Sequence, residues 1–95
     1  MGVRERRHSQ IIARAPRDVL ILARARAQLS DLTAVERRMV ASTVDQLALD
    51  ALPRGAEALE GRFRDHIRLR IGRFRLLYKV TDGELTVVAV LAEPG

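Results

Sequence analysis

The apolar period of the sequence changes near residue 64, from the spacing of 3.6 residues that suits a helix to the spacing of 2 that suits a strand. From there, basic and apolar residues alternate in 66-HIRLRI-71. In a strand, Ile67, Leu69 and Ile71 would point to one face and the intervening residues to the other. The alternation therefore predicts a sheet that buries one face and exposes a basic one.

Two turn signals divide this part of the chain into three strands. Gly72-Arg73 interrupts the alternation and predicts a tight turn, after which 74-FRLLYKV-80 continues the apolar face with every second residue. Asp82-Gly83 is a strong hairpin signal that favours positive φ at both turn positions. The last segment, 84-ELTVVAVLA-92, is apolar on both faces, which is typical of a central strand.

The first half of the chain shows helical spacing. The run 18-DVLILA-23 fits a short buried strand, although it could also begin a helix that continues through Leu29. A short helix is predicted near residues 24–31. Thr33 and Glu36 form a capping-box pattern, which predicts that a second helix begins there and runs to about Asp50.

Downstream of that helix, Pro53 and Gly55 predict a loop over residues 52–61, with Leu59 anchored to the core. The predicted fold class is α+β, with two N-terminal helices packed on one face of a small twisted antiparallel sheet of about four strands. Residues 1–16 are charged and aperiodic, so we expect a flexible N-terminal extension, followed by one domain over residues 17–95. A chain of 95 residues can bury one modest core.

Composition argues against several kinds of site. The chain has no cysteine, and its two histidines, His8 and His66, are far apart, so neither a metal site nor a cofactor is predicted. No run approaches the roughly 18 apolar residues of a membrane span. The apolar run Ile11–Ala13 is too short for the core of a signal peptide. We therefore expect a cytoplasmic protein that does not bind membranes.

The distribution of charge points to a polyanionic or acidic partner. The formal net charge is +5, and seven of the seventeen lysines and arginines lie within residues 62–79. Arg68, Arg70 and Arg75 should share one sheet face, together with Leu77 and either Val88 or Val90. Arginines can also serve only to keep a sheet face soluble. A face that mixes basic and apolar groups favours the interpretation as a binding surface.

The run 59-LEGRFRDHIRLRIGRFRLLYKVTDGELTVVAV-90 resembles the RelE/ParE toxin superfamily of bacterial toxin–antitoxin systems. The shared pattern is leucine–x–glycine, a basic strand, a glycine, and then Phe74-Arg75-Leu76-Leu77-Tyr78 before a hairpin. Upstream, 19-VLILARARAQLSDL-32 and 47-LALDALPRG-55 fit the first strand and helical hairpin of that superfamily. The resemblance covers roughly residues 18–92.

This resemblance implies two helices on a twisted antiparallel sheet and one of two activities. RelE-like members cleave messenger RNA on the ribosome, whereas ParE-like members inhibit DNA gyrase. Both kinds are neutralised by a cognate antitoxin encoded beside them. The expected partners are thus an acidic antitoxin and either messenger RNA on the ribosome or, as the alternative, DNA gyrase.

The resemblance also implies which residues act on RNA. The basic positions of the family fall on Arg68, Arg70 and Arg75, which are the predicted catalytic residues. Guanidinium groups suit the stabilisation of a phosphorane, because they donate paired hydrogen bonds to phosphate oxygens. Since arginine stays protonated, His66 is added as the candidate acid or base. A further set of basic residues is predicted to bind nucleic acid: Arg62, Arg64, Arg73 and Lys79.

One part of the family pattern is missing. RelE-like ribonucleases continue after the last strand with a segment that carries arginine or histidine and often a late tyrosine, whereas this sequence ends in 91-LAEPG-95. Tyr78 is expected on the core face, so it does not replace that tyrosine. Three interpretations stay open: a weakened or inactive ribonuclease, a non-catalytic protein that binds an antitoxin or target, and a truncated sequence.

Overall fold

The computed structural model describes residues 16–93 as two helices and a five-stranded sheet. The elements in chain order are β1 (Asp18–Ile21), α1 (Ala23–Ser30), α2 (Ala34–Leu49), β2 (Glu57–Ala58), a short 3₁₀ helix (Gly61–Phe63), β3 (Ile67–Ile71), β4 (Phe74–Val80) and β5 (Glu84–Ala92). The α+β class predicted from the sequence is confirmed. The predicted N-terminal extension lies outside the described residues, except for Pro16.

The capping box predicted at the start of α2 is present. The Glu36 backbone N–H donates to the Thr33 hydroxyl over 3.1 Å, and the Thr33 N–H donates to the Glu36 carboxylate over 3.0 Å. Each side chain thus pairs a backbone N–H that the first turn of a helix leaves free. Neither of the two helices that the structure describes is long and apolar enough to cross a membrane.

The sheet is mixed, with strand order β1-β5-β4-β3-β2, so the prediction of a purely antiparallel sheet of about four strands is wrong. Strand β1 pairs in parallel with β5, from Asp18 opposite Glu84 to Ile21 opposite Val87. Two parallel strands need a long connection between them, and here the helices and the other strands of the sheet provide it. The fifth strand, β2, occupies two residues of the segment predicted to be a loop, and it pairs with the start of β3.

Both predicted tight connections are present, and one has a different geometry. Gly72 has φ of +59° at the β3–β4 turn, a conformation that glycine adopts without the clash of a Cβ atom. The β4–β5 turn lies at Asp82 and Gly83, but neither residue has positive φ, so that detail of the prediction is wrong. Hydrogen bonds between Thr81 and Glu84 close this turn instead: the Thr81 N–H donates to the Glu84 carbonyl, and the Thr81 hydroxyl accepts from the Glu84 N–H.

Both helices pack on the same face of the sheet. The hydrophobic core lies between the helices and the sheet, and its buried residues come from α1, α2, β3, β4 and β5. They are Ala25, Val40, Val44, Leu47, Leu69, Ile71, Phe74, Leu76, Tyr78, Leu85, Val87 and Val90. This arrangement confirms the predicted core face of β3 and β4. The other face of the sheet is left without a covering layer among the described residues.

A bulge in β5 changes which of its residues face the core. Leu77 pairs with Ala89 and Tyr78 with Val87, which leaves Val88 as an extra residue without a partner on β4. As a result Val90 enters the core, where its N–H donates to the Gln28 side chain over 2.7 Å. Of the two alternatives predicted for the basic face, Val90 is therefore wrong.

Candidate nucleic-acid interface

The sheet face opposite the helices, called the arginine face below, carries Arg68, Arg70 and Arg75. Residues that pair directly across strands share a face, and Arg70 pairs with Arg75. Arg68 lies on the same side of β3 as Arg70, because it precedes Arg70 by two residues. The two residues are about 7 Å apart along the strand. The structure thus brings together the three arginines predicted to be catalytic.

Apolar residues lie beside these arginines on the same face. Leu77 of β4 pairs with Arg68 on one side and with Ala89 of β5 on the other, and Leu91 of β5 pairs with Arg75. The arginines are therefore concentrated on β3 and β4, and the apolar residues on β4 and β5. This confirms the predicted mixture of basic and apolar groups on one face.

Arg68 is held by a carboxylate that the sequence did not reveal as part of the site. Glu57 of β2 pairs with Arg68 across the strands, and its Oε1 accepts hydrogen bonds from Nε and Nη2 of that guanidinium at 3.1 and 2.8 Å. These hydrogen bonds, and then the charge of Arg68, lower the pKa of Glu57 from its ordinary value of 4.5. The charge of Arg75 adds a smaller effect in the same direction, so all three groups belong to one electrostatic cluster.

The other two arginines of the arginine face have different partners. Arg75 forms an ion pair through its Nε with a carboxylate oxygen of Glu93, just beyond β5. The Glu93 N–H also donates to the Arg73 carbonyl over 2.7 Å, which fixes the position of Glu93. Arg70 donates from Nε to the carbonyl oxygen of Gly72 over 3.3 Å and is exposed. Of the three arginines, Arg70 alone is exposed, whereas Arg68 and Arg75 are half-buried.

His66 immediately precedes β3 and is half-buried. Its backbone carbonyl accepts from the Leu59 N–H over 3.0 Å, which continues the β2–β3 pairing by one step. Its ring packs edge-on against Phe63, with 5.5 Å between centroids. The Nδ1 atom is buried and has no hydrogen-bond partner among the described groups. Any proton transfer by His66 would therefore have to use Nε2.

The four further residues predicted to bind nucleic acid are not all in one place. Lys79 is exposed on β4, two residues after Leu77 and hence on the arginine face. Arg62 and Arg64 are exposed around the 3₁₀ helix. Arg73 donates from Nε and Nη2 to Glu36 of α2 at 3.1 and 2.9 Å, and its guanidinium lies 4.6 Å from the Phe74 ring centroid. Arg73 thus joins the β3–β4 turn to the helix layer.

Comparison with known proteins supports the fold. No protein-family model and no curated protein matches the sequence. Among solved structures, one chain of the toxin–antitoxin complex RelBE2 from Mycobacterium tuberculosis matches with a TM-score of 0.74 and 23% identity, covering 83% of this chain and 100% of that one. One chain of the RelE–RelB complex from Pyrococcus horikoshii matches with a TM-score of 0.71 and 24% identity, covering 82% and 96%. The isolated RelE toxin from E. coli matches with a TM-score of 0.71 and 18% identity, covering 85% and 87%.

The chain has a RelE-like fold. The fold that the sequence resemblance implied is therefore confirmed, with the mixed sheet described above. At these identities the comparison concerns the backbone and assigns no role to a residue. What the site can do must be argued from its own side chains.

Tyr78 takes no part in the arginine face of this RelE-like fold. It is fully buried, and its hydroxyl donates to the Ala51 carbonyl over 2.7 Å. Burial, helped by the negative charge of Asp50, raises the pKa of Tyr78 to about 12. The expectation that Tyr78 lies on the core side is confirmed, and it ties the sheet to the segment after α2.

An apolar groove of about 320 Å³ opens in the helix layer beside β1. Apolar side chains make up most of its lining, and the two charged residues on it are Arg37 and Asp45. Arg37 already donates to the Leu32 carbonyl over 2.5 Å. Within residues 16–93, no cluster of three potential ligands from histidine, aspartate and glutamate could hold a metal ion.

The arginine face provides three chemical functions. Arg68 and Arg75 present guanidinium groups whose donors match phosphate or carboxylate oxygens. Arg70 adds a positive charge that no carboxylate of the described residues offsets. Glu57 adds a carboxylate, ionised at neutral pH, to the same face. This carboxylate can accept a proton if Arg68 leaves it to bind a ligand. This combination suits a phosphodiester better than a neutral substrate.

Proposed function

We propose that this chain is the toxin of a bacterial type II toxin–antitoxin pair, acts in the cytoplasm, and cleaves messenger RNA on the ribosome without a metal ion. The observation that supports this proposal is the cluster of Arg68, Arg70, Arg75 and Glu57 on the open face of a RelE-like sheet. Three positive groups at neighbouring positions of one sheet face suit a phosphate that gains negative charge during reaction.

The proposed reaction uses the RNA's own 2′-hydroxyl as nucleophile. The 2′-oxygen attacks the adjacent phosphorus, the bond from phosphorus to the 5′-oxygen breaks, and a 2′,3′-cyclic phosphate and a 5′-hydroxyl end result. Glu57 accepts the proton of the 2′-hydroxyl, and water or His66 Nε2 supplies one to the leaving 5′-oxygen. Because the pKa of Glu57 is lowered, it is a weak base while Arg68 holds it. Arg68 must therefore shift toward the phosphate for Glu57 to act.

The proposed partner is an acidic antitoxin segment that is disordered alone and orders on contact. The matching structures from M. tuberculosis and P. horikoshii are toxin–antitoxin complexes. In this chain, Arg68 and Arg75 already form ion pairs with the carboxylates of Glu57 and Glu93, respectively. Acidic side chains of a partner can take the same positions beside Leu77 and Leu91. A short acidic reading frame next to this gene, whose product co-purifies with the chain, is the expected observation.

The decisive experiment expresses the chain alone and maps the ends of messenger RNAs bound to ribosomes. We expect codon-phased cleavage that Arg75→Ala abolishes. Arg38→Ala is the matched control, because it removes the same charge from an exposed position on α2, in the helix layer. Arg75→Lys keeps the charge and loses the paired donors, so it should retain only part of the activity. Unchanged cleavage by Arg75→Ala would contradict the assignment of the arginine face.

A second candidate is a protein that binds without cleaving, either a ParE-like inhibitor of DNA gyrase or a degenerate toxin. The pairing of both Arg68 and Arg75 with the chain's own carboxylates favours it, because neither guanidinium is free in this state. Growth arrest with intact messages and blocked gyrase supercoiling would establish the gyrase-directed protein. Absence of toxicity, together with retained antitoxin binding, would establish the degenerate one.

A further inference from the structure

Phe63 is an exposed aromatic residue in a chain with very few of them. The sequence contains two phenylalanines, one tyrosine and no tryptophan. Phe74 and Tyr78 are buried in the core, whereas Phe63 remains 45% exposed. It ends the 3₁₀ helix Gly61–Phe63, between β2 and β3. Its exposure is therefore not explained by the core.

Two neighbours hold the Phe63 ring in place. The His66 ring meets it edge-on, with 5.5 Å between centroids and 85° between planes. The His66 backbone N–H also donates to the Phe63 carbonyl over 2.8 Å, which closes the turn between them. The Arg62 guanidinium lies 5.9 Å from the Phe63 centroid. The result is an exposed aromatic ring with a planar cation beside it.

These three residues lie beside the arginine face. His66 immediately precedes β3 and is two residues before Arg68, a distance of about 7 Å along an extended strand. A nucleic acid whose phosphate contacts Arg68 can thus place a neighbouring base near Phe63. Proteins bind unpaired bases by stacking them on aromatic rings and on guanidinium planes, which is the pair of groups found here.

We propose that Phe63, together with Arg62 and His66, forms a platform on which a base of single-stranded RNA stacks while a neighbouring phosphate contacts Arg68. This inference rests on the proposed action on RNA and specifies the form of the substrate. Because every base has an aromatic face, the platform requires an unpaired base but no particular sequence. Double-stranded RNA keeps its bases stacked on one another and should bind less well.

The test measures binding of a short single-stranded RNA that carries one 2-aminopurine, whose fluorescence falls when it stacks. We expect quenching with the wild-type chain. Phe63→Ala should lose the quenching and weaken affinity roughly 10- to 100-fold, because stacking of a base on an aromatic ring is lost. Phe63→Tyr should retain both, because it keeps an aromatic ring. Leu52→Ala is the matched control, since Leu52 is an apolar residue that is 66% exposed in a different segment.

A second probe separates this inference from the proposed function. The same RNA with an abasic site at the 2-aminopurine position should bind the wild type as weakly as the intact RNA binds Phe63→Ala. If Phe63→Ala binds and quenches like the wild type while Arg75→Ala does not bind, the platform is wrong and the action on RNA stands. If the wild type binds neither RNA, the platform is wrong, whereas the proposed cleavage on the ribosome is still decided by mapping the ends of messenger RNAs. If Phe63→Ala loses only antitoxin binding, Phe63 is a protein contact and the platform is wrong.

Discussion

Arg70 and Arg75 face each other as a direct cross-strand pair on β3 and β4. Like charges in this position destabilise a sheet. Glu93 offsets the charge of Arg75, but Arg70 makes only a hydrogen bond to the Gly72 carbonyl among the described contacts. The fold therefore tolerates an unfavourable pair on the arginine face, next to the β3–β4 turn. An anionic ligand would remove that cost, which connects the stability of this face to its proposed function.

Substitutions on the arginine face should change the free energy of unfolding much less than substitutions on the core face of the sheet. Arg68→Ala, Arg70→Ala and Arg75→Ala should each change the free energy of unfolding by no more than about 0.5–1 kcal/mol, because exposed ion pairs contribute little. Removing Arg70 also relieves a like-charge contact, so that variant should be neutral or slightly more stable. The measurement is urea denaturation followed by circular dichroism.

The matched core substitution is Leu76→Ala on the opposite face of β4. Leu76 is fully buried, so the change should cost about 2–5 kcal/mol through the cavity it leaves. Leu47 and Leu69, also buried, should behave in the same way. Unfolding of the triple arginine variant would show instead that the ion pairs with Glu57 and Glu93 hold the sheet together.

Glu36 should make stability depend on acid pH. The hydrogen bond from the Thr33 backbone N–H, followed by contact with Arg73, lowers the pKa of Glu36 below its ordinary value of 4.5. A lowered pKa in the folded state means that the stabilisation is present above 4.5 and is lost as the pH falls through the folded-state pKa. Glu36→Gln can keep the capping box but loses the charge. Its unfolding free energy should therefore fall less than that of the wild type between about pH 5 and pH 3.

An equal decline for both proteins would show that other carboxylates dominate the acid response. Arg73→Gln provides the control, because it removes the ion pair while the capping box and the Glu36 carboxylate remain. It should weaken the acid dependence only in part, since the Thr33 N–H is the largest cause of the lowered pKa.

The absorbance change in an alkaline titration can be assigned to Tyr78, because it is the one tyrosine in a chain without tryptophan. Burial raises its pKa to about 12, so the folded protein should show tyrosinate absorbance with a midpoint near 12 and the urea-unfolded protein one near 10. A raised pKa means that stability is unaffected below about pH 10 and is lost as the pH rises from there toward 12. A midpoint near 10 in the folded protein would contradict the burial of this hydroxyl. Tyr78→Phe should cost about 1–3 kcal/mol, because the Ala51 carbonyl loses its donor.

Local patterns in the sequence predicted the elements that have a clear period or a cap. The alternation over residues 66–80 predicted β3, β4 and the arginine face, and the Thr33–Glu36 pattern predicted the start of α2. The parallel pairing of β1 with β5 joins residues 18–21 to residues 84–87, and no local pattern records a contact between such distant segments. The bulge at Val88 lies in a segment that is apolar on both faces, so alternation could not reveal it.

Part of the candidate site was also beyond sequence reasoning. Glu57 lies in β2, which has two residues and is too short to show a period, and its partner Arg68 follows eleven residues later. Glu93 pairs with Arg75 only because β5 returns antiparallel to β4. The signal that could have found Glu57 was the shortage of acids around the predicted basic face. Such a face is costly unless a carboxylate from elsewhere in the chain approaches it.

Gln28 should stabilise the bulge of β5 from α1. The last backbone hydrogen bond from the β1 edge to β5 runs from the Leu22 N–H to the Val87 carbonyl, and the Val90 N–H donates over 2.7 Å to the Gln28 side chain instead. Val90 is only 5% exposed, so Gln28→Ala would leave its N–H without a partner and should cost about 1–3 kcal/mol. Gln46→Ala is the matched control, because Gln46 is an exposed glutamine on α2 and should change stability by less than about 0.5 kcal/mol. Hydrogen exchange at the Val90 amide should accelerate in the Gln28 variant alone, while exchange at the Leu76 amide on β4 should change only as far as global stability falls. Equal exchange at Val90 in both variants would mean that this amide is protected by burial and not by the Gln28 side chain.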